Sequence, residues 1–300
     1  MKNIYKLFAL TGIVLIAFLF INADVSELSS DPEKSTSTLY EIKALKVPTN
    51  LTFAGEKVPI HDDDVMERID RELLVNTYWQ SNGLLNFKRA HKYFPVIEPI
   101  LKKYNIPDDF KYLAIIESGL QNVTSPAGAK GYWQLMPKTA REYGLEVNDN
   151  VDERYNLEKS TEAACKYLLE AYKIYGNWTL TAAAYNAGMA GISRVMEYQK
   201  VDSYYDLYLN AETSRYIPRI VVTKEIMSNP KKYGFVFEES DLYKLSPTKT
   251  IEITEEIADL NEFAKSNGMT YKELKLNNPW LLEQNLNNKS GKKYFIEVPK

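Results

Sequence analysis

Residues 113–119 read LAIIESG, and residues 125–137 read SPAGAKGYWQLMP. Four apolar residues precede Glu117, so the first stretch predicts an apolar helix that carries a carboxyl group at its end. Gly119 and the segment 126–131 then break the helical pattern into a loop. Apolar neighbours disfavour the charged form of a carboxyl group and raise its pKa. Glu117 is therefore a candidate general acid, although a helix-end Glu that only hydrogen-bonds loop amides fits the same pattern.

The segment after Glu117 lacks a second acid, since residues 118–140 contain neither Asp nor Glu. A glycosidase that uses two carboxylates needs the partner about 5–10 Å away, although that partner can come from elsewhere in the chain. If none arrives, Glu117 must act first as the acid and then as the base. The nucleophile must then come from the substrate.

The composition excludes several classes of function. The 300 residues carry a net charge of −3, with 45% hydrophobic and 26% charged residues, which is ordinary globular composition. No basic excess indicates a nucleic-acid partner. The single cysteine, Cys165, excludes an intrachain disulfide, and two histidines, His61 and His91, leave no HExxH motif. We expect no metal and no other cofactor.

The N-terminus predicts export. Lys2 and Lys6 precede an uncharged stretch from Leu7 to Ala23, which is typical of a secretory signal peptide or a short N-terminal membrane anchor over residues 1–23. Export with almost no cysteine is typical of a protein of the bacterial cell envelope, here the periplasm. Residues 24–64 are rich in Ser, Thr, Asp and Pro, and we expect a flexible tether there.

The rest of the chain predicts a mainly α fold with a mixed tail. Helical periodicity begins near Val65, and we expect a helical catalytic domain over residues 65–235 and a linker over 236–247. In the tail, residues 248–254 and 294–298 alternate as strands do, and two short helices lie between them. Residues 248–300 are therefore expected to form a small βααβ module.

Three further motifs follow the Glu117-Ser118 pair in a fixed order: residues 125–137, then AYNAG at 184–188, then ETSRY at 212–216. Together they resemble the lytic transglycosylases, in particular their membrane-bound D type, over roughly residues 67–235. The resemblance implies a catalytic domain with the fold of goose-type lysozyme. Four motifs in register are far more specific than any one of them.

The resemblance also implies roles for individual residues. Glu117 corresponds to a sole catalytic acid and base, and the Tyr185 hydroxyl to the group that orients its carboxyl. Glu212 corresponds to a carboxylate that binds substrate hydroxyls, with Tyr216 packed beside it. The other implied substrate-binding or supporting residues are Ser118, Ser125, Gln134, Met136 and Asn186.

Structural roles compete at several of these positions. Met136 and Tyr216 equally fit the helical core, and Ser118 and Asn186 fit helix ends. Trp133 either stacks on a sugar or fills the core, and the sequence favours neither.

The C-terminal module resembles a LysM domain, which binds glycans that contain N-acetylglucosamine. Its pieces include GMT at residues 268–270 and LNNP at 276–279, but TEE at 254–256 stands where the family has Gly-Asp-Thr. Glycan binding and a role as spacer or docking module therefore both remain open. Asn277 is the candidate contact residue, although it also fits a turn.

The resemblance implies cleavage of the MurNAc–GlcNAc β-1,4 bond of peptidoglycan with formation of 1,6-anhydro-MurNAc. The partners are then peptidoglycan glycan strands, with membrane association through the N-terminus. A hydrolytic muramidase that acts on the same bond is one alternative. A catalytically silent glycan-binding protein is another.

Overall fold

The computed structural model describes residues 42–289 and 291–300. The signal or anchor expected over residues 1–23 lies outside this range, as does the expected tether up to residue 41. The chain divides after Lys43, and residues 44–300 make up one unit. None of the helices within the described residues combines the length and the apolar character needed to cross a membrane.

Helices α1 to α8 form the main body, which confirms the expected mainly α fold. Helices α1 and α3 pack against α8. Helix α5 packs against both α2 and α6. Short 3-10 turns join some of them, including Glu153–Tyr155 and Thr213–Arg215. The helices are α1 (Asp63–Tyr78), α2 (Gln80–Lys103), α3 (Lys111–Ser118), α4 (Pro137–Glu142), α5 (Leu157–Tyr175), α6 (Trp178–Ala187), α7 (Met189–Gln199) and α8 (Tyr216–Ser228).

Helix α5 shows why the local signals work where they are strong. The Asn156 side chain accepts a hydrogen bond from the Lys159 N–H at 3.0 Å, and Gly176 ends the helix in the left-handed region. Its buried side chains form one face of the core, as amphipathic spacing predicts.

Helix α2 differs from the expectation. The pattern predicts a helix over 93–104 with Pro95 in its first turn, yet α2 begins at Gln80 and holds Pro95 and Pro99 in its interior. Each internal proline removes a backbone hydrogen bond and costs about 3 kcal/mol. Phe87, on the N-terminal half of the helix, is buried in the core, and this packing offsets the weak local preference.

The described part of the expected tether is ordered. Strands β1 (Thr52–Phe53) and β2 (Glu56–Lys57) form a small antiparallel hairpin, and the Phe53 side chain is fully buried in the main core. The carboxylate of Glu56 accepts the N–H of Thr179 at 3.0 Å, at the start of α6. The polar composition of the segment does not predict this packing, because only a few buried apolar residues hold the segment in place.

The C-terminal module has the expected βααβ order. Strand β3 (Thr248–Ile253) pairs antiparallel with β4 (Tyr294–Pro299), and helices α9 (Leu260–Ser266) and α10 (Tyr271–Asn277) lie between them in sequence. The fully buried Asn278 donates to the Glu297 carbonyl at 2.7 Å and accepts the Glu297 N–H at 2.8 Å. Asn278 is thus the residue that ties α10 to β4, next to the candidate contact Asn277.

The segment expected as a linker, 236–247, is held against α2. The Tyr243 N–H donates to the Lys88 carbonyl at 3.3 Å, and the Tyr243 carbonyl lies 2.9 Å from His91 Nδ1. Just before it, the buried Phe235 packs on Phe87 with ring centroids 5.2 Å apart. Residues 236–247 are therefore packed against the helical body and do not form a free linker.

Candidate active site

Glu117 lies in the last turn of α3, where the helix meets the loop. Gly119 ends the helix with φ of +59°, and its N–H donates to the Ile115 carbonyl at 2.7 Å. The buried residues Leu113 and Ala114 precede Glu117, whose own side chain is half-buried. This burial raises the pKa of Glu117 from its ordinary value of 4.5 to about 7. The carboxyl group therefore holds its proton near neutral pH, as a general acid must.

Tyr216 is the hydrogen-bond partner of this carboxyl group. Its side chain is only 2% exposed, and its hydroxyl donates to Glu117 Oε1. The bond favours the charged form and offsets part of the rise in the pKa of Glu117. A nearby Glu212 raises the same pKa and Arg219 lowers it, both through their charges. Glu117 is thus poised between its two protonation states.

The expected partner of Glu117 was Tyr185, and that assignment is wrong for the hydrogen bond. The Tyr185 hydroxyl donates instead to the Trp133 carbonyl at 2.7 Å. Tyr185 remains close enough that the charge of Glu117 raises the pKa of its phenol, although burial is the larger cause. Tyr185 therefore fixes the loop beside the acid, and Tyr216 contacts the acid itself.

Ser118 joins the end of α3 to the loop. Its hydroxyl is buried, donates to the Tyr132 carbonyl at 2.8 Å and lies 3.1 Å from the Ala114 carbonyl. It also accepts the Gln121 N–H at 3.3 Å. The Ser118 hydroxyl therefore connects the end of α3 to the backbone of the loop.

Ser125 and Gln134 both bond to the backbone of their own loop. Ser125 Oγ accepts the Ala129 N–H at 3.0 Å. Gln134 adopts a left-handed backbone with φ of +47°, and its amide donates to the Val123 carbonyl at 3.1 Å and the Gly131 carbonyl at 2.9 Å. A non-glycine residue in this region is strained, and such strain is concentrated at functional sites.

A buried ion pair holds this loop from the other side. Arg154 donates to Asp152 from Nε at 2.9 Å and from Nη2 at 2.7 Å, and both side chains are almost fully buried. Its Nη1 donates to the carbonyls of Gly128 and Leu135, at 3.0 and 3.1 Å. The pair therefore fixes both ends of the loop segment that carries Gln134.

Trp133 and Met136 occupy different environments. Trp133 is fully buried, and its indole N–H donates to Thr161 Oγ1 at 2.8 Å, which settles its two open roles in favour of the core. Met136 is 43% exposed at the start of α4, so it is not a core residue.

Asn186, at the end of α6, orients the acidic residue of the last motif. Its amide nitrogen donates to Glu212 Oε1 at 3.0 Å, and its amide oxygen accepts the Thr213 hydroxyl at 2.8 Å. Glu212 is exposed. The structure thus brings Glu117, Tyr216 and Glu212 within electrostatic reach of one another.

The roles of Asp152, Arg154 and Arg219 were not predicted from the sequence. Asp152 and Arg154 stand two residues apart in the tetrad VDER at 151–154, but the burial of an ion pair has no local signature in the sequence. Arg219 stands one turn after Tyr216 on α8, and this spacing was the available signal. Within residues 42–289 and 291–300, no group of three or more His, Cys, Asp or Glu side chains is gathered to hold a metal ion.

Comparison with known proteins identifies two domains. Residues 95–207 match the transglycosylase SLT domain, and residues 249–300 match the soluble lytic transglycosylase C-terminal LysM-like domain. The chain is 32% identical over 256 residues to the membrane-bound lytic murein transglycosylase D of Escherichia coli strains K12 and O6:H1 (CFT073). That alignment covers 83% of this chain and 55% of each relative, so the chain spans about half their length.

Among solved structures, the 70 kDa soluble lytic transglycosylase of Escherichia coli is similar with a TM-score of 0.41 and 20% identity. The match covers 50% of this chain and 26% of that one. By the two family matches, the chain carries a transglycosylase SLT domain at residues 95–207, followed by a LysM-like domain of the soluble lytic transglycosylase type at residues 249–300.

Proposed function

We propose that this protein is a peptidoglycan lytic transglycosylase with Glu117 as its sole general acid and base. The observation that carries the proposal is the state of Glu117. It lies inside an SLT domain, burial raises its pKa to about 7, and its carboxyl group accepts a hydrogen bond from the buried Tyr216. A carboxyl group with a pKa near neutral can both give and take a proton at working pH.

The reaction follows from one carboxyl group. Glu117 gives its proton to the oxygen of the MurNAc–GlcNAc β-1,4 bond, the bond from C1 of MurNAc to that oxygen breaks, and positive charge develops at C1. The N-acetyl oxygen of the same sugar stabilises that charge, which is a known exception to the use of two carboxylates. Glu117, now anionic, takes the proton of the C6 hydroxyl while O6 bonds to C1. The products are 1,6-anhydro-MurNAc and a free GlcNAc hydroxyl, with no water consumed.

The surrounding residues support these steps. Tyr216 stabilises the anionic Glu117 between the two proton transfers, because its hydroxyl donates to the carboxyl group. Glu212, oriented by Asn186, binds sugar hydroxyls from the exposed side of the site. Ser125, Gln134 and Met136 line the path of the glycan, and Ser118 and Tyr185 hold the loop in place.

One observation favours a second candidate, a hydrolytic muramidase. The charge of Glu212 acts on Glu117, so a second carboxylate is within electrostatic reach of the acid. If Glu212 orients a water molecule toward C1, the same bond is hydrolysed. We place the transglycosylase first because Glu212 is exposed and bonded to Asn186.

The location and partners of the protein follow from the same reasoning. We propose export to the periplasm of a bacterial envelope through residues 1–23, which are either cleaved or retained as a membrane anchor. The LysM-like module then keeps the enzyme near glycan strands, its substrate and partner.

Replacement of Glu117 by Gln tests the proposal. The amide keeps the shape of the side chain but cannot transfer a proton, so we expect release of soluble fragments from purified murein to fall about 10²- to 10⁴-fold. E197Q is the matched control, because Glu197 is an exposed glutamate on α7, and this variant should retain its folding and its turnover. Undiminished turnover by E117Q, or none in the wild type, would refute the proposal.

A further inference from the structure

Glu72 is a buried carboxylate in contact with three arginines, which lie on α1, in the turn before α8 and on α8 itself. It lies on α1, is 1% exposed and accepts hydrogen bonds from Arg71 Nη1 at 2.6 Å and Arg215 Nε at 2.7 Å. Arg219 Nε lies 3.7 Å from its other oxygen. We call Glu72, Arg71, Arg215 and Arg219 the arginine cluster. All four residues lie outside the SLT match at residues 95–207.

The arginine cluster carries excess positive charge. Three guanidinium groups surround one carboxylate, so two positive charges are left without a counter-charge inside the cluster. A buried carboxylate needs such partners, but one or two would suffice to compensate its charge. Compensation of the Glu72 charge therefore does not require the third arginine.

The three arginine side chains are also partly accessible. The side chains of Arg71, Arg215 and Arg219 are 48%, 29% and 27% exposed. Among the described residues, Glu72 is the only acidic partner of each, so most of their N–H groups remain available to a ligand. By contrast, the nearby Arg68 donates a hydrogen bond to the Asp64 carboxylate and another to the Ser214 carbonyl at 3.3 Å.

The arginine cluster flanks the catalytic acid. Arg215 precedes Tyr216, whose hydroxyl donates to Glu117, and Arg219 follows one turn later on α8. The charge of Arg219 is felt at Glu117 and at Tyr216. A substrate whose bond is cleaved at Glu117 could therefore place an anionic group in the cluster at the same time.

We propose that the arginine cluster binds a carboxylate of the peptide stem of peptidoglycan. This inference rests on the proposed function and deepens it. The lactyl group of MurNAc is amide-linked in a stem-bearing strand, so the sugars are neutral and the negative charge lies on the peptide. Guanidinium groups match a carboxylate with paired hydrogen bonds, which a neutral glycan does not offer.

The test compares two substrates made from the same murein. One is glycan strands that keep their peptides. The other is the same strands after an amidase has removed the peptides and the lactyl carboxylates that this frees on MurNAc have been converted to neutral amides. We expect the wild type to prefer the peptide-bearing strands in kcat/KM. R71Q and R215Q should each lower that preference about tenfold, the loss expected for one charge-assisted hydrogen bond. R194Q is the matched control, because Arg194 is an exposed arginine on α7 outside the cluster.

Two outcomes would overturn the inference. One is an unchanged preference in both variants, and the other is an equal loss on both substrates, which would indicate a purely structural role for the cluster. Binding of the two kinds of strand to E117Q, and to E117Q with R71Q or R215Q, gives a second reading that needs no turnover. If the wild type cleaves neither substrate, the proposed function fails, whereas the binding comparison still decides for or against the cluster.

Discussion

At the scale of the residue, the proposed chemistry depends on two opposing effects on the pKa of Glu117. Burial raises the pKa of its carboxyl group, and the Tyr216 hydroxyl lowers it by favouring the charged form. Burial is the larger effect, and the result is a pKa of about 7. Because the acid must be protonated to begin the reaction, activity should decline as the pH rises above this value.

Removal of the Tyr216 hydroxyl tests this balance. In Y216F the carboxylate loses a donor, so the pKa of Glu117 should rise further and the acid should stay protonated to higher pH. A hydrogen bond to a charged group contributes about 1.5–3 kcal/mol, so the alkaline limb of the kcat profile should move up by about one to two pH units. The maximum kcat should fall, because the anionic Glu117 is less stabilised.

Y185F is the control for this measurement, because the Tyr185 hydroxyl donates to the Trp133 carbonyl and not to Glu117. Its alkaline limb should stay close to that of the wild type. A limb that moves in Y185F and stays fixed in Y216F would contradict the assignment of Tyr216.

Glu117 could be predicted from the sequence, but its hydrogen-bond partner could not. The apolar run before Glu117 is local, and local burial was enough to predict a raised pKa. Tyr216 lies 99 residues further along the chain, and no periodicity distinguishes its hydroxyl from that of Tyr185. Only the packing of α8 against α3 decides which of the two reaches the acid.

At the scale of the element, the loop between α3 and α4 is held in place by the segment before α5. Gly131 has φ of +80°, and a Cβ placed there would lie 2.0 Å from the Arg154 carbonyl oxygen. The loop therefore passes directly against the backbone that carries the buried ion pair. The left-handed Gln134 follows within the same turn.

Two alanine substitutions distinguish the cost of a strained backbone from the cost of a clash with the Arg154 carbonyl. Gly128 has φ of +86° with nothing within 4 Å of its virtual Cβ, so G128A should cost only about 1–2 kcal/mol of unfolding free energy. G131A adds a clash with backbone, and overpacking costs about 1–3 kcal/mol more. Urea unfolding of both variants measures the difference, and equal losses would show that the contact with Arg154 does not constrain the loop.

The elements themselves were predictable where start and stop signals coincide. Asn156 and Gly176 are typical start and stop residues and do bracket α5, and the βααβ order of the tail was confirmed. Helix α7 (Met189–Gln199) was not expected, because Gly188 reads as a stop although it only separates two helices. In α2 the prolines indicate a helix start, but the helix continues through them because tertiary burial outweighs local preference.

At the scale of the whole molecule, the C-terminal module packs against the helical body, which contributes Val151 to the core of the module. Val151, which precedes the buried ion pair, packs in the core of the module, and the Asp152 N–H donates to the Trp280 carbonyl at 2.9 Å. The Asn150 carbonyl accepts the Leu282 N–H at 2.9 Å, and Glu146 accepts the Tyr294 hydroxyl. The module is therefore docked on the segment that holds the active-site loop.

Docking of this kind predicts joint unfolding. Calorimetry of the wild type should show one transition, and L281A should lower its midpoint as a whole, because the buried Leu281 lies against Val151 and its loss costs about 2–5 kcal/mol. L276A is the control, since Leu276 is 69% exposed. Two separate transitions, with only one moved by L281A, would show that the module is an independent appendage.

The sequence predicted the module but not its attachment. The composition of residues 236–247 indicated a linker, whereas their backbone bonds to α2 depend on residues far away in the chain. The ordered hairpin at residues 52–57 was hidden in the same way, since Phe53 is buried by partners that composition does not reveal.

The fate of water during cleavage tests the central claim most directly. Murein is digested in water enriched in oxygen-18, and the fragments are weighed by mass spectrometry. If Glu117 works alone and C6 supplies the nucleophile, the fragments end in 1,6-anhydro-MurNAc and carry no label. Fragments that end in reducing MurNAc, heavier by one water molecule and labelled at C1, would show hydrolysis and contradict the single-carboxylate mechanism.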